Sequence, residues 1–317
     1  MLNALTKQCG EIILRPLGFC NLSEVVVRSG DTFDALARKV RVAAILGTFQ
    51  STLTEYKYLR KKWKENAEEE RLLGVSLTGI MDHAVLSDSE AWDNQSLSSS
   101  LQKLKNITIE TNKEYASLLG INPSAAITTV KPSGTVSQLV DSASGIHPRH
   151  ANHYIRTVRA DSKDPLALFL KDQGVPWEQD VMNKSNVVFS FPIKAPEHSI
   201  TRHDINAIKQ LEHYLIFQQN WCEHNPSITV YVKNDEWLDV GAWVYKHLDQ
   251  LGGVSFLPSS DHVYAQAPYQ DITEEQYTKA AAEFPVLNWE QFSSYEVDDA
   301  SMNMHELACV SGHCELL

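Results

Sequence analysis

Short β-branched runs separated by amphipathic helical stretches recur along almost all of this 317-residue chain. That alternation constrains the fold more than any other feature. Ser23–Arg28 reads as a strand, and Asp31 stands where a helix cap would, ahead of Phe33, Leu36, Ala37, Val40 and Ala44 at helical spacing. Leu53–Arg71 reads as a mostly wet helix, Leu72–Ile80 as a buried strand, and Ser96–Leu119 as a long helix that Gly120 ends. Ala125–Val130 reads as a strand and Thr135–Val140 as a helix start. His153–Arg159 and Asn186–Lys194 read as strands around a helix near Pro165–Asp172. The helix His203–Trp221, the strand Ser227–Val232, the helix Glu236–Leu251, the strand Val254–Leu257 and the helix Thr273–Phe284 follow. Such alternation predicts an α/β chain with a largely parallel sheet or an α/β barrel. From Tyr295 onward the pattern fades into a polar tail.

Composition narrows the function classes. A net charge of −12 argues against a general nucleic-acid surface, because phosphate binding by counterion release needs clustered Lys and Arg. The one dense basic run, Lys57 to Lys64, is followed at once by Glu65 and Glu68–Glu70, and it reads as a solvated helix face. No apolar run approaches bilayer length and the N-terminus has no signal-peptide pattern, so the expectation is no membrane and a cytoplasmic location. Five unevenly spaced cysteines do not suggest a secreted disulfide framework. Reduced thiols fit better, which makes closely spaced pairs candidates for redox chemistry.

Three stretches could carry chemistry. Lys-Pro-Ser-Gly-Thr-Val-Ser, residues 131–137, lies between an expected strand and an expected helix. Free N–H groups there would converge on an anion, Gly134 would let a ligand approach the backbone, and Ser133, Thr135 and Ser137 would add hydroxyls. The plainer reading is a helix cap. It is not the Walker pattern, which needs a Gly-Lys-Ser/Thr ending. At the C-terminus, Cys309 and Cys314 flank Gly312 in a tail where a disulfide could form and exchange with little strain. A zinc reading exists through His305 and His313, but His313 abuts Cys314 and adjacent side chains rarely converge on one metal. Redox chemistry is favoured and no metal is expected. Near the N-terminus, Cys9 and Cys20 accompany Glu11, while Cys222 at a helix end reads as a packing residue.

Together these pieces resemble one family, the monomeric adenosylcobalamin-dependent (class II) ribonucleoside-triphosphate reductases. The resemblance runs from Cys9 to Leu317. It rests on Cys-Gly-Glu-Ile-Ile-Leu-Arg-Pro at 9–16, Phe-Cys-Asn-Leu-Ser-Glu-Val at 19–25 and Leu-Leu-Gly-Val-Ser-Leu-Thr-Gly-Ile at 72–80. It continues through the 131–137 stretch, Ser-Gly-Ile-His-Pro-Arg at 144–149, His-Asn-Pro-Ser-Ile-Thr-Val-Tyr at 224–231, Gly-Val-Ser-Phe-Leu-Pro at 253–258 and the Cys-x4-Cys tail.

The resemblance implies a fold, a reaction and roles. The fold would be the C-terminal half of the family's ten-stranded α/β barrel over residues 1–294, with a finger loop near 6–20 and a mobile redox tail over 295–317. The reaction would be thiyl-radical reduction of ribonucleoside triphosphates with adenosylcobalamin. Cys9 matches the cysteine that becomes the radical, Glu11 the carboxylate that takes the 3′-hydroxyl proton, and Cys20 one half of the reducing dithiol. Cys309 and Cys314 match the shuttle that passes the disulfide to a thioredoxin-type partner. Ser133, Gly134, Thr135, Val136 and Ser137 would hold the substrate phosphates.

Two departures stand out. The family carries Asn two residues before the radical cysteine, where this chain has Lys7, and Gln8 offers an amide one position off. The family also places half of its barrel, a second reducing cysteine and an effector site ahead of the region matched. Turnover is therefore expected only together with a missing N-terminal half, the alternative being a non-catalytic remnant that binds a partner or nucleotide.

Overall fold

The computed structural model describes residues 15–87, 96–259 and 265–296. The chain divides into two compact units, one of residues 1–149 and 197–259 and the other of 150–196 and 260–317. The sequence pattern changes character only at residue 295 and carries no mark of this division.

The first unit is built on parallel strands. β1 (Asn21–Val26), β2 (Leu73–Thr78) and β3 (Thr128–Thr129) form one sheet in that order, with Asn21 opposite Leu73, Val26 opposite Thr78 and Val75 opposite Thr128. β7 (Ser227–Val232) and β8 (Gly253–Pro258) form a second parallel pair. The stretch between Trp221 and Ser227 runs along β3. Glu223 and His224 donate backbone N–H bonds to Thr128 O, and Ser227 N donates to Val130 O. All six residues of β2 are buried, the pattern of a parallel strand covered on both faces.

The helices of this unit begin and end where side chains satisfy their free backbone groups. In α1 (Phe33–Gln50) the N-cap is Thr32, whose hydroxyl accepts from Ala35 N at 3.2 Å. Asp31, the expected cap, instead accepts from Arg28 N and from Lys39 Nζ. Ser96 caps α3 (Leu97–Leu119) by accepting from Ser99 N, and Gly120 closes it in the left-handed conformation at φ 65°. α2 (Lys61–Glu70) is shorter than expected. Ser51 and Thr52 hydroxyls bond back to nearby carbonyls just upstream, which favours turns over continued helix. Beyond these, α4 (Val136–Leu139) is a single turn, and α6 (Ala207–Asn220) and α7 (Trp237–His247) flank β7 in sequence. Leu36, Val40 and Ala44 of α1 share one core cluster with Val25, Leu73, Val75, Leu77, Leu101, Leu104, Tyr214, Phe217 and Trp221. Each large apolar side chain buried there contributes roughly 2 kcal/mol relative to exposure.

The second unit is antiparallel, unlike the largely parallel arrangement the alternation predicts. Its four strands run in the order β5 (Trp177–Gln179), β6 (Asn186–Lys194), β4 (His153–Asp161) and β9 (Tyr269–Asp271). His153 lies opposite Lys194 and Asp161 opposite Asn186. Strand direction leaves no trace in a period-two pattern. The short link from Asp180 to Ser185 suits a hairpin and is too short for a parallel crossover. α5 (Pro165–Asp172) packs Ala167 and Phe169 on Val187 and Phe189, joined by Phe284 just after α8 (Glu274–Glu283) and by Phe292.

Candidate active site on the inner face of the parallel sheet

Side chains alternate across a strand, and in β1 and β2 the two sets have opposite characters. Val25, Leu73, Val75 and Leu77 point into the apolar cluster, and the Ser23 hydroxyl donates to Ala43 O of α1. The other set is Cys20, Leu22 and Glu24 beside Gly74, Ser76 and Thr78. This polar, inner face is turned away from α1.

Along β2 the inner face has three levels, spaced two residues or about 7 Å apart. At the first, a Cβ added to Gly74 would overlap Leu22 Cδ2 and come within 3.0 Å of Cys20 Sγ. Only glycine leaves room for the thiol. Burial pushes the Cys20 thiol up to about 12, against a smaller opposing pull from Lys131, so sulfur stays protonated at neutral pH.

At the second level, Ser76 Oγ donates to Glu24 Oε1 at 3.1 Å and accepts from Lys131 N at 3.1 Å. Burial raises the Glu24 carboxyl to about 7, with Ser76 partly opposing the shift. The Lys131 ammonium donates to Ser227 Oγ at 2.9 Å at the start of β7.

At the third level, Thr78 Oγ1 and Ser133 Oγ lie 2.6 Å apart, Thr78 Oγ1 accepts from Gly145 N, and Ser144 Oγ accepts from Ser133 N. The 131–137 stretch is thereby fastened to the C-terminal end of β2. Ser133 and Ser137 are buried, while Gly134, Thr135 and Val136 are exposed. The N–H groups of those three have no acceptor among the described residues. Helix α4 is one turn long, so little macrodipole stands behind them. Thr135 supplies the one exposed hydroxyl of the loop, because Ser137 Oγ is sealed inside with no partner among the described residues.

Further contacts fix this frame. His147 accepts from Thr229 N at Nε2 and donates to Ser144 O from Nδ1. Burial lowers its ring below the usual histidine range, which keeps it neutral for that double role. His224 donates from Nε2 to Leu73 O. Cys222 is buried and its thiol is pushed well above the ordinary range by burial, which suits a packing residue.

Of the residues singled out from sequence, Cys20 and the 133–137 stretch come together on one sheet face. Cys9, Glu11, Cys309 and Cys314 lie outside the described residues. Glu24, Ser76, Thr78 and Lys131 stand in the sequence only as letters within motifs. A carboxylate at an inward position of a β-branched strand, two positions from an apolar neighbour on each side, was the available signal for Glu24.

No protein-family model matches the chain. An adenosylcobalamin-dependent ribonucleoside-triphosphate reductase of Lactobacillus acidophilus is 26% identical over 338 residues, covering 98% of this chain and 45% of that protein. One of Lactobacillus gasseri is 27% identical over 301 residues, covering 87% and 40%. A crystal structure of a B12-dependent (class II) ribonucleotide reductase superposes with a TM-score of 0.77 at 25% identity, over 92% of this chain and 44% of that one. The chain is a homologue of these reductases. It spans a little under half the length of the reductases it matches. The α/β fold expected from the resemblance is that of the matched part of the class II reductase. No described helix is long and apolar enough to cross a membrane.

Proposed function

We propose that this chain forms the thiol-bearing half of a reductase site that converts ribonucleoside triphosphates to 2′-deoxyribonucleoside triphosphates. It acts together with a portion corresponding to the rest of the relatives' length, in cis or in trans. The observation that carries this reading is the spacing on β2: Cys20 Sγ beside Gly74, and the 133–137 loop at Thr78, four residues or about 13 Å further along one face. That is the scale of the reach from a ribose to the outer phosphates of one nucleotide. Exposed edges support the need for a further portion. Among the described residues β1 and β8 are outermost in their sheets, and Leu238 and Tyr245 of α7, with Leu248 just after it, are exposed.

The division of labour follows from the chemistry of each group. Adenosylcobalamin, when bound, supplies a carbon-centred radical from its cobalt–carbon bond. A corrinoid brings its cobalt already chelated, so it asks this chain for a thiol that can exchange hydrogen rather than a cluster of metal ligands. Cys9 takes that role in this reading, and Cys20, whose sulfur burial keeps in the S–H form, is left as a reducing thiol. Cys9 takes the 3′-hydrogen of the ribose and later returns it. Glu11 removes the 3′-hydroxyl proton. Cys20 and a second thiol provide two electrons and two protons, so the 2′-hydroxyl leaves as water and a disulfide remains. Cys309 and Cys314 reduce that disulfide by exchange and are themselves reduced by a thioredoxin-type protein. The N–H groups of Gly134, Thr135 and Val136, with the Thr135 hydroxyl, hold the phosphates, while Ser133 and Ser137 shape the loop from within.

The test is deoxynucleotide formation from ATP or CTP with adenosylcobalamin and reductant, using the chain alone and then mixed with the N-terminal half of a related reductase. Product in the mixture, abolished by Cys20→Ser or Cys9→Ser, is the expected result. A stable mixed complex that binds nucleotide without making product would mark a non-catalytic remnant and overturn the reading.

A further inference from the structure

The hydrogen bonds at the middle level of the inner face have a fixed polarity. Lys131 N–H can only donate, so the lone pairs of Ser76 Oγ receive it, and the one serine proton goes to Glu24 Oε1. Oε1 is thus an acceptor, and any proton carried by Glu24 sits on Oε2. Among the described residues, Ser76 is the sole hydrogen-bond partner of the Glu24 carboxyl and no cation pairs with it. A half-buried carboxyl held by one hydroxyl is costly when ionised. Its place is between the thiol level at Gly74 and the loop level at Thr78.

We propose that Glu24 is a positioning residue for the nucleotide, donating a hydrogen bond from its Oε2–H to an oxygen of the phosphate nearest the ribose. This rests on the nucleotide-site reading given above and adds a specificity contact to it. A neutral acid can meet an anion where a carboxylate would repel it, and burial raises this carboxyl to about 7, keeping that form available near neutral pH. The charged and titratable groups around it are few. Lys131 lies next to Ser76, Cys20 stands on the same face with a thiol near 12, and Lys39 of α1 is tied to Asp31 and to Val26 O. Leu22 separates Glu24 from Cys20 along the strand, so Glu24 acts on binding and not on the thiol directly.

The experiment measures ATP affinity of the full chain from pH 6 to pH 8.5, for the native protein and Glu24→Gln. Gln keeps a donor at that position at every pH. A contact that needs the protonated carboxyl weakens with the protonated fraction, about 30-fold over that range for a group titrating at about 7. The ratio of native to Glu24→Gln affinity cancels the titration of ATP itself, and that ratio should fall by roughly this factor. A carboxylic-acid C=O infrared band that titrates near neutral pH in the native chain and is missing from Glu24→Gln should accompany it. Circular dichroism melts of the two proteins should agree within a few degrees. Identical pH profiles, or no such band, would overturn the role of Glu24 while leaving the nucleotide site standing. Failure of both proteins to bind ATP at any pH would overturn the nucleotide-site reading and this contact with it.

Discussion

Arg149 and Asp82 form a two-pronged ion pair sealed from solvent, with Nε to Oδ1 and Nη2 to Oδ2 both at 2.9 Å. The same carboxylate accepts from Ala143 N at 2.7 Å and from the Ser199 hydroxyl, so four donor groups converge on it. The pair ties the segment that follows β2 to the 141–149 stretch, which in turn braces the loop at Ser133.

Removing one partner of this pair leaves a buried charge uncompensated, so Arg149→Met should cost about 3–5 kcal/mol in urea unfolding. The double variant Asp82→Leu with Arg149→Met should recover a good part of that loss. A single-variant cost below about 1 kcal/mol would show that the pair is more hydrated than its geometry implies.

Gly74→Ala should disturb the thiol more than the fold. The added methyl meets Leu22 and Cys20 Sγ, and overpacking of this kind costs about 1–3 kcal/mol. Displaced toward solvent, Cys20 should alkylate faster than in the native chain, as read by peptide mass spectrometry. Unchanged labelling would mean that the thiol is not held by that contact.

In the native protein Cys20 should be slow to react. With its thiol near 12 instead of 9, the thiolate fraction at pH 8 is about a thousandfold below that of an ordinary cysteine. Iodoacetamide trapping against an unfolded control measures this directly, and equal rates would contradict the buried S–H form.

Gly134→Val separates binding from folding. A Cβ there meets nothing within 4 Å, and the residue does not use the left-handed conformation, so stability should change by less than about 1 kcal/mol. Triphosphate affinity should nevertheless fall, because the branched side chain crowds the free N–H groups of the loop. Unchanged affinity would reduce the loop to a helix cap.

His213 sets an acid limit on stability. Burial lowers its ring to about 4, and neither ring nitrogen has a partner among the described residues. The unfolded chain takes up the proton near 6.5 and the folded chain does not. Stability is therefore fully present above about pH 6.5 and declines as pH falls toward 4, by about 2 kcal/mol between pH 7 and pH 5. Glu24 works in the opposite direction, since its raised value favours the folded state below about 4.5 and that advantage is lost as pH rises through 7. Urea midpoints of His213→Leu against the native chain isolate the histidine contribution. Parallel pH curves for the two would show that the ring is solvated.

Much of the first unit was legible from local pattern. Ser96 and Gly120 bracket α3 as expected, and Ser227–Val232 is β7 to the residue, because caps and β-branched runs are local properties. What was not legible is pairing. The strands at 153–161 and 186–194 look like those of the parallel unit, yet their partners run the other way, and nothing in a single strand records its neighbour's direction. At the site, Cys20 and the 133–137 loop were found from motifs, but their relation was not. It depends on Gly74, Ser76 and Thr78 of another strand, residues whose side chains are too small to draw notice in a sequence. The expected helix from 203 starts only at Ala207, where Asn206 accepts from Lys209 N and supplies the cap.

The neighbour of β3 in this structure arrives late in time as well as in sequence. Trp221 Nε1 donates to Thr129 O and Ser227 N to Val130 O, so the outer edge of β3 is completed by chain made about a hundred residues later. At ribosomal speeds of about 5–20 residues per second, that is a wait of roughly 5–20 s. Through that interval the nascent strands already carry Leu73, Val75 and Leu77 without the tryptophan that will close over them. A chain made in this order shows those apolar side chains to solvent for longer than its final structure does, and its yield in cells should respond to the pace of translation between residues 129 and 227.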